Sequence, residues 1–540
     1  MGERLVEGWL DDWSPEGQLG WDFDERLATA RGDFALVALA CGGLVAASGP
    51  GGGHRPVFVV NQPRWVAAST RLRVVLALLE TRPGLDIDYL ASSVAIETPL
   101  VPSATPYRGI HHVPLGQAWL LRAGTEDQRR STLLDLPQVE NTASERENSA
   151  LLRETIERAV IRATRGATKV GVALSGGLDS SSVLGTMAIL RQRGTIASDV
   201  EAFSWEFDTP DPADDRPFRR SVERRLGVRS HSVAPAEAAP FVRRGMVLDA
   251  MPCTDCPCPL WIALDRAARR RGINRILTGA GGDNVLEGDP TLFGELALRG
   301  RPIDAVRKAI FLRMGYTSPW SRVRDFVVRP VVRAMTPETL RARYRMRRER
   351  RWLDWMGSRF DRWLVDRNAS GSAQAITLNS SPAERYAALA CMPFLADVVL
   401  LRSQQEEATQ YHRIDPLFDD EVLRFVASLP PLALLAGGYA RGLLRQAMAD
   451  CLPVEVRTRL RKAYIDPAFV GMVAASGGFE RMEDLARVSR LADLGLVEPK
   501  AYRKHFDRMS THPLDGVWSS AWPALAVEEF LRQYDEGWTS

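Results

Sequence analysis

The stretch that decides the fold is KVGVALSGGLDSSSVL, from Lys169 to Leu184. Its first six residues are a short apolar run that ends at a turn, which is typical of a strand buried on both faces. The glycines of SGGLDS permit close approach of a ligand to the backbone. Residues 180–190, SSSVLGTMAIL, then predict a helix that begins at serines. Together these elements predict an anion site, because free N–H groups and the positive end of the helix dipole converge.

Polar side chains in this loop extend the prediction. Ser175 and Ser180 supply hydroxyl donors, and Asp179 places a carboxylate beside the anion. That carboxylate is favourable if a divalent cation lies between it and a polyphosphate. The Walker pattern GxxxxGK[ST] is absent, and SGGLDS instead resembles the pyrophosphate loop of the ATP-pyrophosphatase enzymes. The resemblance implies ATP and Mg²⁺ as cofactors, with nucleotide contacts from Leu174, Ser175, Gly176, Gly177, Leu178, Asp179 and Ser180.

Length and composition limit the class of protein. The 540 residues suggest two to four domains, and contents of 45% apolar and 25% charged residues are those of a globular protein. The net charge of +3 is too small to predict a nucleic-acid partner. No apolar run approaches the roughly 18 residues needed to span a bilayer, and the N-terminus lacks a signal-peptide core. We therefore expect a cytoplasmic protein with no membrane span and no nucleic-acid partner.

The residues after the loop predict an α/β fold with a doubly wound parallel sheet. Strands are expected at 200–207, which contains Ser204, and at 229–233, with a helix between them. Residues 275–283, RILTGAGGD, are a further strand end followed by a glycine turn and Asp283. Ligands bind beyond the carboxyl ends of such strands, so Asp179 and Asp283 are expected at one edge, as ligands of Mg²⁺. The alternative for Asp283 is a helix N-cap.

Two further resemblances concern the whole chain. ILTGAGGD resembles the second signature of the asparagine synthetase family, and RGDFALVAL, HRPVFVV, WVAAST and TPYRGIHHVPLGQAWLL resemble the N-terminal glutaminase domain of asparagine synthetase B. They imply an Ntn-type αββα sandwich of the class II amidotransferase kind at 1–135, a linker, and a synthetase domain with helical additions at 149–540. The family's nucleophilic cysteine follows the initiator Met, whereas Gly2 stands here and the nearest cysteine is Cys41. We therefore expect a degenerate domain without glutaminase activity.

The same resemblance assigns further residues to the site. It adds Ser204 and Gly279 to the nucleotide contacts, and it places Lys462, in VRTRLRKAYIDPAF, at the phosphates, where a cation stabilises negative charge. Only five of the 70 basic residues are lysines, so a lysine at this position favours a specific role over a generic surface charge. The expected catalytic residues are Lys462, Asp179 and Asp283.

Departures from the family suggest a different acceptor. Ala280 replaces the Glu or Tyr of asparagine and β-lactam synthetases, and an Arg/Trp-rich insertion occupies about 318–372. Its run RARYRMRRERR, 341–351, precedes Trp352, Trp355, Phe360 and Trp363. A solvated helix face and an RNA contact are alternatives to the favoured interpretation, an element that faces a peptide or a partner.

These features most resemble the lasso peptide cyclases. That resemblance implies adenylation of an Asp or Glu side chain in a leaderless precursor (core) peptide and ring closure by its N-terminal amine. A leader peptidase and a leader-recognition protein are the implied partners. The alternatives are an amide ligase for a small molecule, a scaffold with a relic ATP site, and a tRNA-modifying ATP-pyrophosphatase.

Three cysteines lie close together in CTDCPC, 253–258. A tetrahedral zinc site needs a fourth ligand, and no second CxxC or nearby His follows. The favoured interpretation is a Pro-kinked loop with buried thiols, and a metal cluster is the alternative.

Overall fold

The computed structural model describes residues 4–11, 31–40, 42–50, 56–95, 99–125, 129–132, 137–207, 214–315, 318–352, 354–369, 376–390, 393–409, 411–460, 465–512, 514 and 518–537. Gly2, Cys41 and Lys462 lie outside the described residues. Among the described residues, no helix has the length and apolar character needed to cross a membrane.

The N-terminal part of the chain consists mainly of antiparallel strands. Its elements are β1 (Arg4–Asp11), β2 (Arg31–Ala40), β3 (Gly43–Ser48), β4 (Phe58–Asn61), β5 (Val66–Ser69), α1 (Leu72–Ala77), α2 (Ile87–Ala95), β6 (Ile110–His112), β7 (Gln117–Leu121) and β8 (Arg129–Thr132). One sheet has the order β1-β2-β3-β7-β8 and the other β5-β4-β6. Strands β2 and β3 form an antiparallel hairpin, and β8 pairs antiparallel with β7 at the other edge of the sheet.

The two N-terminal sheets pack face to face, because successive side chains of β4 belong to two different cores. Val59 belongs to a core with Ala46, Trp119 and other residues of the five-stranded sheet. The next residue, Val60, belongs to a core with α1 and α2. Because successive strand residues point to opposite faces, the three-stranded sheet lies between the other sheet and these helices. The described residues of this part of the chain therefore contain two sheet layers and one helical layer.

A parallel sheet forms the centre of the C-terminal part. The elements up to the second glycine turn are α3 (Glu145–Thr164), β9 (Lys169–Ala173), α4 (Leu178–Gln192), β10 (Asp199–Trp205), α5 (Arg216–Leu226), β11 (Ser230–Val233), β12 (Val247–Leu248), β13 (Met251–Pro252), α6 (Cys258–Arg269), β14 (Arg275–Leu277) and α7 (Gly282–Val285). The remaining strand is β15 (His412–Ile414), and the strand order is β11-β10-β9-β14-β15. All four pairings are parallel, which confirms the predicted parallel sheet.

Helices cover both faces of this sheet. Ala202 and Leu277 lie in a core with α3 and α4, whereas their neighbours Phe203 and Ile276 lie in a core with residues of α6. Helix α3 begins at a capping box. The Ser144 hydroxyl accepts a hydrogen bond from the backbone N–H of Glu147, and the Glu147 carboxylate accepts one from the backbone N–H of Ser144. The sheet is therefore buried on both sides, which accounts for the continuous apolar run of β9.

Helices make up most of the chain after residue 290. They are α8 (Leu292–Leu298), α9 (Pro302–Phe311), α10 (Pro319–Val323), α11 (Arg329–Met335), α12 (Glu338–Trp352), α13 (Ser358–Ala369), α14 (Pro382–Ala390), α15 (Pro393–Thr409), α16 (Asp420–Ser428), α17 (Gly442–Ala447), α18 (Val454–Thr458), α19 (Asp466–Ala475), α20 (Ser489–Asp493), α21 (Pro499–Thr511) and α22 (Trp518–Glu536). A π-helical turn, Arg324–Val328, joins α10 to α11.

The aromatic residues of the Arg/Trp-rich insertion correct the sequence interpretation. Trp355, Phe360 and Trp363 are at most 2% exposed. They pack with the C-terminal helices, and Trp355 contacts Tyr502 with ring centroids 5.2 Å apart. These three side chains therefore belong to the core and do not face a partner, because their apolar surface is worth more buried than exposed.

Candidate active site

The candidate site lies where the parallel sheet reverses its winding direction. The chain proceeds from β9 to β10 and β11 on one side, and it returns to β14 and β15 on the other. The loops after β9 and β14 therefore begin at the carboxyl ends of adjacent strands. In doubly wound sheets this switch point leaves a crevice that accepts ligands.

The SGGLDS loop is organised by its serines. The backbone N–H of Ser175 donates to Oγ of Ser180 at 3.2 Å, the two hydroxyls lie 3.1 Å apart, and the N–H of Gly177 donates to Oγ of Ser175 at 3.2 Å. Gly177 is the N-cap of α4. The loop thus carries hydroxyls and the start of a fifteen-residue helix to one point, which is the arrangement that binds anions.

Gly176 has a packing role in this loop. Its φ is +88°, and a Cβ there would lie 2.6 Å from the backbone nitrogen of Arg219. The residue is therefore required by a left-handed conformation and by the close approach of α5.

The second glycine loop packs directly on the first. A Cβ on Gly279 would lie 2.3 Å from the backbone nitrogen of Ser180, and a Cβ on Gly282 would lie 2.2 Å from Cγ of Asp179. Neither position has space for a side chain. Glycines at these positions therefore allow the loops after β9 and β14 to touch.

Asp179 and Asp283 meet at one cation. Nη1 of Arg441 donates to Oδ2 of Asp179 at 2.7 Å and to Oδ1 of Asp283 at 2.5 Å. All three side chains are largely buried, with exposed fractions of 16%, 28% and 16% for Asp179, Asp283 and Arg441. Two carboxylates so close to one positive charge form a site that attracts cations.

Arg441 reaches the carboxylates from a constrained backbone. Its φ and ψ are 55° and 32°, a left-handed conformation that is uncommon outside glycine. Its N–H donates to the carbonyl of Glu287 at 3.0 Å, and its carbonyl accepts from the N–H of Arg445 at 3.0 Å. Surrounding hydrogen bonds hold the strained residue, as is common at functional sites.

A cavity of about 370 Å³ opens beside these residues. Five arginines and three aspartates line it: Arg216, Arg219, Arg441, Arg445, Arg459, Asp179, Asp214 and Asp215. Burial, together with the charge of Arg441, lowers the pKa of Arg445 to about 10, so that this side chain remains cationic at neutral pH. Asp215 pairs with Arg459, and burial nevertheless raises the pKa of its carboxyl. The excess of positive charge favours an anionic ligand.

The opposite wall of the cavity is aromatic. Trp205 and Trp261 meet edge to face with centroids 4.6 Å apart, and the indole N–H of Trp205 donates to the carbonyl of Leu260 at 3.2 Å. Phe203 and Phe207 also line this side. The cavity therefore has a polar end at the glycine loops and an apolar wall, which is the division that a nucleotide or an acyl group requires.

A buried network of polar side chains holds the second glycine loop in place. Oγ1 of Thr278 accepts from the N–H of Ala280 at 3.1 Å and donates to the Asp415 carboxylate, which pairs with Arg402. Asp415 and Arg402 are 2% and 8% exposed. Burial and the charge of Arg413 lower the pKa of Arg402 to about 9. This network fixes the loop that carries Ala280 and Gly279.

The structure gathers most of the residues expected at the site. The predicted residues that line the cavity are Leu174, Ser175, Gly177, Leu178, Asp179, Ser180, Ser204 and Gly279. Gly176 lies behind the loop, and Asp283 joins the site through Arg441. Ser204 is 3% exposed, and its hydroxyl accepts from Nη1 of Arg219 at 2.6 Å. Lys462 falls in 461–464, outside the described residues, although Arg459 and Ile465 on either side line the cavity.

Sequence reasoning missed Arg441, Arg445 and Arg219. Glycines surround Arg441 in GGYARG, and a Cβ on Gly442 would lie 1.9 Å from the carbonyl oxygen of Ala436. That crowded glycine is the signal that could have marked the turn. The Arg441 side chain itself resembles any other arginine in an arginine-rich chain.

The carboxylate pair fits a hard divalent cation. Oδ2 of Asp179 and Oδ1 of Asp283 already converge on one positively charged nitrogen, and carboxylate oxygens are the donors that Mg²⁺ prefers. Among the described residues, no group of three or more His, Cys, Asp or Glu side chains is arranged to hold a metal. Further ligands would therefore come from phosphate oxygens or water.

The cysteines of CTDCPC are buried thiols. Cys253, Cys256 and Cys258 are free and at most 8% exposed, and Cys258 begins α6. Burial raises the pKa of the Cys256 and Cys258 thiols well above its usual value. They accordingly behave as small apolar side chains in the core.

Comparison with known proteins gives a family for the C-terminal part and two relatives. A family profile described as asparagine synthase matches residues 151–532. Over 276 residues the chain is 28% identical to amidase chyE of Penicillium rubens and, equally, to amidase chry2 of Gibberella zeae. Each match covers 48% of this chain and 40% of the relative, so the chain spans less than half the length of these proteins.

Proposed function

The chain belongs to the asparagine synthase family, and we propose that it forms amide bonds in a reaction that converts ATP to AMP and pyrophosphate. The observation that carries this proposal is the convergence of the two glycine loops. They bring Asp179 and Asp283 to a single cation beside the start of α4. A polyphosphate with its divalent cation suits this combination of amide groups, hydroxyls and carboxylates.

The chemistry needs activation because a carboxylate is a poor electrophile at neutral pH. In the first step a carboxylate oxygen bonds to the α-phosphorus of ATP while the bond to the pyrophosphate oxygen breaks. In the second step an amine nitrogen bonds to the acyl carbon, AMP leaves with its electron pair, and the amine loses a proton to water or phosphate. Both steps depend mainly on positioning and on the stabilisation of negative charge.

The residues of the site supply those functions. Ser175, Ser180 and the amide groups at the start of α4 bind the leaving phosphates, and Asp179 and Asp283 hold Mg²⁺. When bound, Mg²⁺ neutralises phosphate charge. Arg445 adds a fixed positive charge at the cavity, and Lys462 stabilises charge at the reacting centre. Gly279 and Ser204 border the nucleotide.

The acceptor side supports a peptide substrate. Ala280, which lines the cavity, offers no polar side chain to an amine. Gly2 stands where the family's ammonia-releasing nucleophile belongs. An amine that belongs to the substrate itself needs neither a polar side chain at position 280 nor ammonia released from glutamine. The finer proposal is therefore macrolactam formation in a lasso peptide, with a leaderless core peptide as substrate and with a leader peptidase and a leader-recognition protein as partners.

A small-molecule amide ligase is the second candidate. A cavity of about 370 Å³ has room for a nucleotide and a compact acyl group. The relatives named amidases carry a name for amide cleavage, and a ligase acts on the same bond in the opposite direction. Competing small carboxylates belong in the same assay.

The test is incubation of the whole protein with ATP, Mg²⁺ and candidate leaderless peptides. AMP and pyrophosphate are quantified, and mass spectrometry records the loss of one water from the peptide. Asp179→Asn, Asp283→Asn and Lys462→Ala should each lower AMP formation at least about a hundredfold. Asp199→Asn, at the opposite end of the sheet, and Lys500→Ala, on exposed α21, are the matched controls. Retained turnover in all three site variants would contradict the assignment.

A further inference from the structure

Positive charge is concentrated in one part of the chain, the basic segment of residues 299–351. This segment has sixteen Lys and Arg but four Asp and Glu, whereas the whole chain has 70 and 67. The other residues therefore carry an excess of acidic groups. Such an asymmetry indicates a surface that meets a negatively charged partner.

The same segment exposes large apolar side chains. Five of them are at least two-thirds exposed: Ile303 (83%), Met335 (77%), Trp320 (74%), Tyr344 (71%) and Phe311 (67%). Single exposed apolar residues are common on protein surfaces, whereas clusters mark interaction sites.

Helical periodicity separates an inner and an outer face in this segment. On α9, Ala305 and Ala309 are buried, whereas Ile303, Arg307 and Phe311 recur at four-residue intervals and are exposed. The alanines belong to a core with α8 and the π-helical turn. The outer face of α9 thus combines apolar and basic side chains.

The helix 319–335 repeats this arrangement. Val323 and Val327 are buried in the same core, whereas Val328, Val332 and Met335 form an exposed stripe. Arg333 is exposed next to this stripe.

Helix α12 extends the basic surface. Arg343, Arg347 and Arg348 are exposed, and Leu340 and Tyr344 lie one turn apart at 53% and 71% exposure. Within the described part of the chain, no acidic side chain lies within ion-pair distance of these three arginines, although Arg341 and Arg345 pair with Glu338.

We propose that the basic segment is a peripheral docking surface for the anionic leaflet of a lipid bilayer, with its arginines at the headgroups and its protruding apolar side chains between them. Ile303 and Met335 are 83% and 77% exposed, and such protruding side chains are suited to insertion between lipid headgroups. The exposed stripe of Val328, Val332 and Met335 is aliphatic and offers no stacking surface to nucleic-acid bases, although it can insert into a lipid interface. Basic residues mixed with Trp, Phe and Leu are the composition of interfacial helices. This proposal is independent of the amide-forming reaction.

The test is co-sedimentation of the full chain with phosphatidylcholine vesicles, with and without phosphatidylglycerol. Binding is expected only with the anionic lipid, and it should weaken with salt. The charge variant Arg343→Gln/Arg347→Gln/Arg348→Gln should lower the partition coefficient roughly a hundredfold. The apolar variant Val328→Gln/Val332→Gln/Met335→Gln should lower it at least about tenfold, since inserted apolar surface contributes to binding.

The control removes equal charge elsewhere. Lys500→Gln/Lys504→Gln/Arg508→Gln clears an exposed stripe of α21 and should bind like the wild type. Circular dichroism checks that each variant is folded. The proposal is overturned if the wild type does not bind anionic vesicles, or if the apolar variant binds as well as the wild type. It is equally overturned if the α21 control loses as much binding as the charge variant.

Discussion

Asp179 and Asp283 are about a hundred residues apart in the chain, yet both accept a hydrogen bond from the same nitrogen, Nη1 of Arg441. The guanidinium separates two carboxylates that would otherwise repel each other. It also occupies the position in which a divalent cation would be attracted most strongly.

Replacing Arg441 should therefore allow Mg²⁺ to take the position of the guanidinium between the two carboxylates. In Arg441→Gln the stronger repulsion between the two carboxylates should cost about 1–2 kcal/mol of unfolding free energy without Mg²⁺, and added Mg²⁺ should restore part of it. The measurement is thermal unfolding with and without MgCl₂. Arg441→Lys, which keeps a positive charge, should respond to Mg²⁺ less than the Gln variant. An equal response of wild type and Arg441→Gln would contradict the prediction.

Gly279→Ala should disrupt the contact between the two loops. The added Cβ would lie 2.3 Å from the backbone nitrogen of Ser180, so one loop must move. We expect a loss of more than about 2 kcal/mol in unfolding free energy, together with loss of ATP binding in calorimetry. Gly84→Ala is the control, because its Cβ would meet one side-chain atom at 3.7 Å. If Gly279→Ala binds ATP like the wild type, the close packing of the loops is not needed for the site.

Asp415→Asn should destabilise the protein through Arg402. The substitution leaves a buried guanidinium without its carboxylate partner, at an expected cost of about 3–5 kcal/mol. The double variant Arg402→Met/Asp415→Asn should cost less than the sum of the single changes, which chemical denaturation can measure. Additive costs would mean that the two side chains do not stabilise each other.

The stability of the N-terminal sheets should fall as the pH drops. Burial lowers the pKa of His112 to about 4, whereas the unfolded chain has a value near 6.5. Between pH 6.5 and pH 4 the imidazole of His112 is protonated in the unfolded state but neutral in the folded state. The stability that is present above pH 6.5 is therefore lost as the pH falls towards 4. The loss at pH 5 should be about 2 kcal/mol.

His112→Gln should remove that contribution to the pH dependence. The matched control is His512→Gln, at an exposed position just after α21. Denaturant unfolding between pH 4 and 7, followed by circular dichroism, measures both variants. An unchanged slope in His112→Gln would contradict the prediction.

Glutamine should not serve as an ammonia source. The resemblance of the N-terminal part to a glutaminase domain that lacks its nucleophilic cysteine predicts that glutamate release from glutamine does not exceed the blank in a coupled assay. Glutamate release that disappears on deleting residues 1–135 would contradict this expectation.

The glycine loops could be predicted because their function resides in the backbone. SGGLDS and GAGGD encode tight turns after apolar strands, and the parallel order of such strands fixes where their ends meet. The positions of Asp179 and Asp283 follow from those two local patterns.

Arg441 and β15 could not be predicted in the same way. The contribution of Arg441 depends on the tertiary placement of a segment far from both loops, and no local pattern distinguishes its side chain. Strand β15 has three residues, which is too short for periodicity to reveal. The aromatics of the insertion were misjudged because Trp355 and Trp363 stand next to an arginine run, whereas their burial depends on the distant helix α21 and its neighbours.

The strand order also has a consequence for how the protein folds. Strands β9, β10 and β11 are close in sequence, but Ile276 of β14 pairs with Gly171 of β9, about a hundred residues earlier, and β15 joins later still. Closing such long loops costs conformational entropy, and this cost arises before the contacts that offset it can form. During refolding the local strands should therefore assemble first. The ability to hold a cation between Asp179 and Asp283 should emerge only after β14 docks, well behind the gain of helical signal.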